Sequence, residues 1–144
     1  MEHEGKQAFI ATAFLSRRKT DSPYSPIEIL VVKNDEQDSY GLPEVVIEFG
    51  KHTEKELKYA LEKKYGLKIY VGRSIKTVDY IDPETNTQIF KTAYFCGFLN
   101  SDDRTKKYPN MTWITRDKFK TLVNDKPENE LIRKGFWILS VEED

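Results

Sequence analysis

The chain has 144 residues, of which 33% are charged and 12% aromatic. That length suits one domain, residues 1–144, with a core large enough to dispense with disulfides. A single cysteine, Cys96, excludes an internal disulfide framework and a cysteine-based zinc site, and 23 basic against 24 acidic residues exclude the global charge signature of a nucleic-acid binder.

In chain order, Met1–Gln7 is polar and has no hydrophobic signal core. Gln7–Ser16 carries Ala8, Phe9, Ile10, Ala11, Ala13, Phe14 and Leu15, the composition of a buried strand. Residues 17–26 read as a loop that opens on the basic run Arg17-Arg18-Lys19. Ile27–Val32 is rich in β-branched residues and reads as a second strand, followed by a polar turn over Lys33–Ser39. Leu42-Pro43 begins a short extended or loop segment.

The period then changes. Leu57, Ala60, Leu61 and Tyr65 recur at helical spacing between Thr53 and Tyr65. Thr53-x-x-Glu56 has the pattern of a capping box, and Gly66 is placed to stop the helix. Ile69–Val71 reads as a small strand. Ser74–Ile81 and Thr87–Leu99 read as a hairpin across the turn Asp82-Pro83-Glu84-Thr85-Asn86. Cys96 lies in the apolar run Ala93–Leu99 and is expected as a small buried hydrophobe.

Asn100–Asn110 is a charged loop and Met111–Ile114 a short strand. Thr115 is placed to cap a helix through Val123, and Asp125 and Pro127 stand at the start of a last helix over Glu128–Leu139. Trp113 and Trp137 are expected as core anchors. Helices separated by strands without strict alternation point to an α/β class with a mixed sheet. No stretch approaches 18 apolar residues, so no membrane partner is expected. The cysteine content suits a reducing, cytoplasmic setting.

The stretch Leu42–Leu67, LPEVVIEFGKHTEKELKYALEKKYGL, resembles the Nudix box of the Nudix hydrolase superfamily. That pattern is G-x5-E-x7-R-E-U-x-E-E-x-G-U, with U a bulky aliphatic residue, and Leu-Pro usually precedes it. Leu42-Pro43, Glu48, Gly50, Leu61, Gly66 and Leu67 fit without a gap, and Trp113 before a helix also looks like the family. The resemblance implies an α/β/α sandwich around a mixed sheet. It also implies divalent cations held by clustered glutamates, since hydrolysis of a diphosphate linkage needs its charge neutralised and a water activated.

The pattern's acidic positions fall on Lys51, Ala60, Lys63 and Lys64, its arginine on Tyr59 and its first glycine on Val45. A protonated lysine donates only and cannot ligate a hard cation. Glu44, Glu48, Glu54 and Glu62 are the carboxylates from which a displaced site could be built. From Lys51 to Lys68 there are six lysines and three glutamates, on a segment that is acidic in the family.

These residues imply a catalytically inactive Nudix-like domain, with no catalytic residue, metal or cofactor expected. It would bind a nucleotide or RNA, within a ribonucleoprotein assembly such as the ribosome or beside a protein partner. Lys51, Lys63 and Lys64, with Arg17 and Arg18, are the candidate phosphate ligands. Tyr80, Phe90 and Tyr94 are the candidate base-stacking residues. Two alternatives stand beside this. One is a noncanonical pyrophosphohydrolase of nucleoside diphosphate-linked or dinucleoside polyphosphate substrates. The other is a protein–protein scaffold without a ligand.

Overall fold

The apolar strands and the three helical segments of the chain assemble into a mixed sheet with helices on both faces. The computed structural model describes residues 6–20, 22, 24–34, 39–123 and 125–142. In chain order these form β1 (Lys6–Arg18), β2 (Ile27–Asn34), β3 (Ser39–Gly41), β4 (Glu44–Ile47), α1 (Thr53–Tyr65), β5 (Ile69–Asp82) and β6 (Thr87–Phe98). A 3-10 turn (Ser101–Thr105), β7 (Met111–Thr115), α2 (Arg116–Leu122) and α3 (Lys126–Glu142) follow.

The strand order is β3-β2-β1-β6-β5, with β4 paired to β1 and β7 to β2. β1 is the hinge of this arrangement. It runs parallel to β6 from Lys6↔Thr87 to Leu15↔Cys96. On its other edge it pairs antiparallel with β4 over Phe9–Thr12, and then with β2 over Ser16–Arg18. Side chains of a strand alternate between faces, so β1 feeds two cores. Ala11, Ala13 and Leu15 pack with Leu57, Leu61 and Leu67 on the α1 face. Phe14 packs with Phe119, Leu131, Ile132 and Phe136 on the α2 and α3 face. Among the described residues no helix is long and apolar enough to cross a membrane.

Several local expectations are corrected. α1 begins at Thr53 itself, with His52 in the N-cap position and no side-chain capping bond, so Thr53-x-x-Glu56 is not a capping box. Glu54 and Glu56 in the first turn still favour the positive end of the helix dipole. At the other end Gly66 adopts φ 76°, and its N–H donates to the Glu62 carbonyl at 2.8 Å. Glycine reaches that left-handed conformation at little steric cost, which explains the stop.

The small strand Ile69–Val71 is not separate. It continues into β5 through an irregularity between Val71 and Lys76. Asp82 Oδ1 accepts from the Glu84 N–H at 3.0 Å and Asn86 takes φ 55°, which closes the β5–β6 hairpin where the sequence placed its turn. Thr115 stands at the N-cap of α2 without a side-chain bond. Asp125 does cap α3, accepting from the Glu128 N–H at 3.1 Å. Trp113 is half-buried, but Trp137 is 52% exposed with Lys134 over its ring, so it is no core anchor. Leu131, Ile132 and Phe136 take the inward stripe of α3 and leave Trp137 outside it.

Candidate functional site

The segment between β4 and α1 must reverse direction within a few residues. Gly50, at φ 86°, permits the turn, and the Lys51 N–H closes it on the Glu48 carbonyl at 3.1 Å. Leu57 and Leu61 bind α1 to the sheet, so the residues on its flank face outward beside β4. There Lys51, Lys55, Lys63 and Lys64 line one groove of about 930 Å³ with Val45, Val46, Tyr59 and Ala60. Glu48 and Glu56 also line it, so four ammonium groups face two carboxylates. The Lys63 ammonium lies 5.6 Å from the Tyr59 ring centre and that of Lys64 lies 5.5 Å from Tyr65, within cation–π reach.

The structure therefore gathers Lys51, Lys63 and Lys64 but not the two arginines. Arg17 and Arg18 end β1 rather than opening a loop. Arg17 donates from Nε to Glu28 at 3.1 Å, donates to the Arg104 carbonyl and stacks 4.1 Å over Trp113. Arg18 donates to the Ser25 carbonyl at 2.9 Å. Neither lines the groove. Of the three aromatics, Tyr94 packs half-buried into the α1-face core, and Phe90 stacks on the half-exposed Phe9 at 5.2 Å. Tyr80 lines a second cavity. Cys96 is half-buried, and burial pushes its thiol up to about 12, so it stays protonated at neutral pH.

The displaced carboxylates do not converge. Glu48, Glu54 and Glu62 are exposed, while Glu44 is tied to Lys91. Among the described residues no three acidic, histidine or cysteine side chains are placed to hold a metal ion.

The second cavity, about 1020 Å³, lies under the N-terminus of α3 between Gly41–Leu42, β5 and β6. Its chemistry was not singled out from sequence. Lys91 falls at an inward position of β6, in phase with Ala93, and is 6% exposed. Its ammonium is 3.2 Å from Glu44 Oε1 and 3.8 Å from Glu128 Oε1. Glu128, 4% exposed, accepts from the Leu42 N–H through Oε2 at 3.0 Å, and its Oε1 has no hydrogen-bond partner. A lysine at a core-facing strand position was the signal that could have marked this cluster.

No family model and no curated protein matches the sequence. Solved structures do match. A mutT/nudix family protein from Listeria innocua aligns with TM-score 0.73 over 96% of this chain and 98% of its own, at 15% identity. The C. elegans Ap4A hydrolase aligns with TM-score 0.72 over 92% and 98%, at 13% identity. A NUDIX hydrolase from Nitrosomonas europaea aligns with TM-score 0.68 over 91% and 89%, at 11% identity.

The chain has a Nudix-like fold.

Within that fold the box-like stretch supplies β4, the turn and α1, and the lysines at positions 51, 63 and 64 line the groove these elements form. The second cavity meets the groove at Lys64, which lines both. Burial pushes Glu128 up to about 7, outweighing the opposing Lys91 ammonium, and the Glu44 and Asp125 charges add to the rise. Burial pulls Lys91 down, but Glu128 and Glu44 more than offset it and hold the ammonium above the usual lysine range. Tyr80 also faces Lys91, and burial raises its hydroxyl.

Two carboxylates thus share one ammonium, and burial raises the deeper of them, Glu128. A carboxyl raised by folding stabilises fully below its unfolded value and loses that contribution as pH rises through its folded value. Between pH 5 and 8 wild-type stability should therefore fall through this group, by at most about 3 kcal/mol. Glu128→Gln should remove that slope. Urea melts of both proteins at the two pH values check it, and equal slopes would contradict the assignment.

Proposed function

We propose that the groove beside α1 binds the phosphates of a nucleotide or of RNA directly through its lysines, without a metal ion and without cleavage. The observation that carries this reading is the convergence of Lys51, Lys55, Lys63 and Lys64 on one groove. Its volume of about 930 Å³ lies within the range of small-molecule sites. Lysines bind phosphate as point charges, so affinity should fall as salt rises. RNA held this way would suit a place in a ribonucleoprotein.

The test is calorimetric titration with ADP, GDP, inorganic tripolyphosphate and a 5′-phosphorylated RNA oligonucleotide, in chelator and again with magnesium. Binding in chelator, without product, is expected for wild type. Lys63→Glu with Lys64→Glu should weaken it at least tenfold. Unchanged affinity in that double variant would overturn the reading.

A second reading is a noncanonical pyrophosphohydrolase of nucleoside diphosphate-linked or dinucleoside polyphosphate substrates. The fold likeness to an Ap4A hydrolase supports it. Magnesium-dependent release of product, seen by chromatography in the same titrations, would establish it in place of the first.

A further inference from the structure

Lys51, Lys55, Tyr59 and Lys63 follow one another at intervals of four residues, and all of them line the groove beside α1. Residues four apart share a helix face, so along α1 a ring stands between ammonium groups in one row. The helix carries Lys63 about 12 Å along its axis from Lys55. The two phosphorus atoms of a diphosphate are one bridging oxygen apart and meet only part of such a row. A polynucleotide strand repeats its phosphates along its length and can follow all of it. None of the described ion pairs includes Lys51, Lys55, Lys63 or Lys64, so no carboxylate among the described residues neutralises them at salt-bridge distance.

Exposed rings gather at the end of the row where β4 gives way to α1. Phe49, in the turn two residues before Lys51, is wholly exposed. Phe9 stands opposite Ile47 in the β1–β4 ladder and so shares its face of the sheet. One side of the half-exposed Phe9 ring lies on Phe90 at 5.2 Å, with 16° between the planes. Tyr59, within the row, is mostly exposed. Flat rings beside a run of cations are the two parts of a single-strand platform, in which ammonium groups follow the phosphates and rings stack on the bases. An anionic bilayer fits less well, because Glu48 and Glu56 line the same groove and would meet its headgroups.

We propose that the flank of α1 binds a single-stranded polynucleotide along its length, with Lys51, Lys55 and Lys63 following the backbone and Phe49 and Phe9 stacking on bases beside the groove. This rests on the reading of the groove as a phosphate site and names its ligand as a polymer. Every base offers a flat face, so the platform holds a strand without reading its sequence.

The experiment is a set of titrations in chelator with a mixed-sequence RNA dodecamer, the DNA dodecamer of the same sequence, the RNA annealed to its complement, UMP and tripolyphosphate. For wild type a single-stranded dodecamer should bind at least a hundredfold more tightly than UMP. The annealed RNA, whose base faces are hidden in the duplex, should bind at least fivefold more weakly than the single strand. Binding of either dodecamer upholds the proposal, and the tighter of the two names the natural strand. Log affinity should fall against log salt with a slope of about −2 for three neutralised phosphates, and Lys55→Ala should make it shallower by about 0.7. Phe49→Ala should weaken the strand at least fivefold and leave tripolyphosphate unchanged, while Phe49→Trp retains the affinity. Phe49 is exposed, so this comparison does not depend on how the variant folds.

A dodecamer that binds no more tightly than UMP, with tripolyphosphate bound, would overturn the strand and leave the phosphate site standing. Equal binding of duplex and single strand, or of wild type and Phe49→Ala, would overturn the stacking rings. If neither dodecamer nor tripolyphosphate binds, both readings fail, and retention on phosphatidylserine vesicles would then assign the surface to a membrane.

Discussion

At pH 9, where Glu128 is ionised, Lys91→Met should destabilise the fold by up to about 3 kcal/mol, a loss capped because the unpaired carboxyl can take up a proton. The ammonium is the sole cation within 4 Å of the Glu128 carboxylate among the described ion pairs, and Glu128 is itself buried. Methionine matches the length of the lysine stem, so the loss is charge rather than packing. In a domain of this size a loss of that magnitude lowers the melting temperature by roughly 10 °C. Adding Glu128→Gln should recover most of the loss, because the orphaned charge is then gone. Thermal and urea melts of the single and double variants measure the coupling. A single variant within about 1 kcal/mol of wild type at that pH would show that Lys91 does not neutralise this cluster.

Phe14→Ala should cost about 3–5 kcal/mol, the range for an aromatic deleted from a close-packed core. The Phe14 ring is 1% exposed and meets Phe95 edge-on at 5.5 Å and Phe136 edge-on at 5.7 Å. It also fills the space over Gly135, where an added Cβ would come within 2.4 Å of the ring. Phe14 therefore locks α3 against the sheet from both sides. Phe14→Leu keeps most of the volume and should cost under about 2 kcal/mol. Urea denaturation of the two variants separates cavity formation from the mere loss of aromaticity. Similar small losses in both would mean that the neighbours collapse into the space.

α1, its glycine stop, the β5–β6 hairpin and the two apolar strands β1 and β2 were legible because each rests on local periodicity or turn chemistry. The mixed sheet and the sandwich layering followed from element order and the box resemblance. The misreadings have a common cause, because they depend on where a residue faces in three dimensions. Thr53 and His52 differ by one position, and only the backbone at His52 decides which is the cap. Trp137 looks like an anchor by composition but lies off the inward stripe of α3. Arg17 looks like a free loop cation, yet Glu28, Trp113 and the Arg104 carbonyl hold it.

The candidate site divides the same way. Lys51, Lys63 and Lys64 were legible because they sit in one short segment with a recognised pattern. Lys91 and Glu128 were not singled out, since they come from β6 and α3 and meet only in the folded chain. Gly135 carried no signal either, as its use is to admit a ring from β1.

The pairing of β1 has a consequence for how the chain is made. Its parallel partner is β6, so Lys6 must wait for Thr87 before that ladder can begin. β5 and β6, joined by a short turn, can zip as soon as both exist. A chain growing from its N-terminus therefore carries Ala11, Ala13, Phe14 and Leu15 in one strand with an unfilled edge while most of the domain is still to be synthesised. During that interval an apolar strand edge is open to a neighbouring copy, and it closes only when β6 arrives. Slowing elongation anywhere between β2 and β6 lengthens the exposure without altering a single contact of the finished fold.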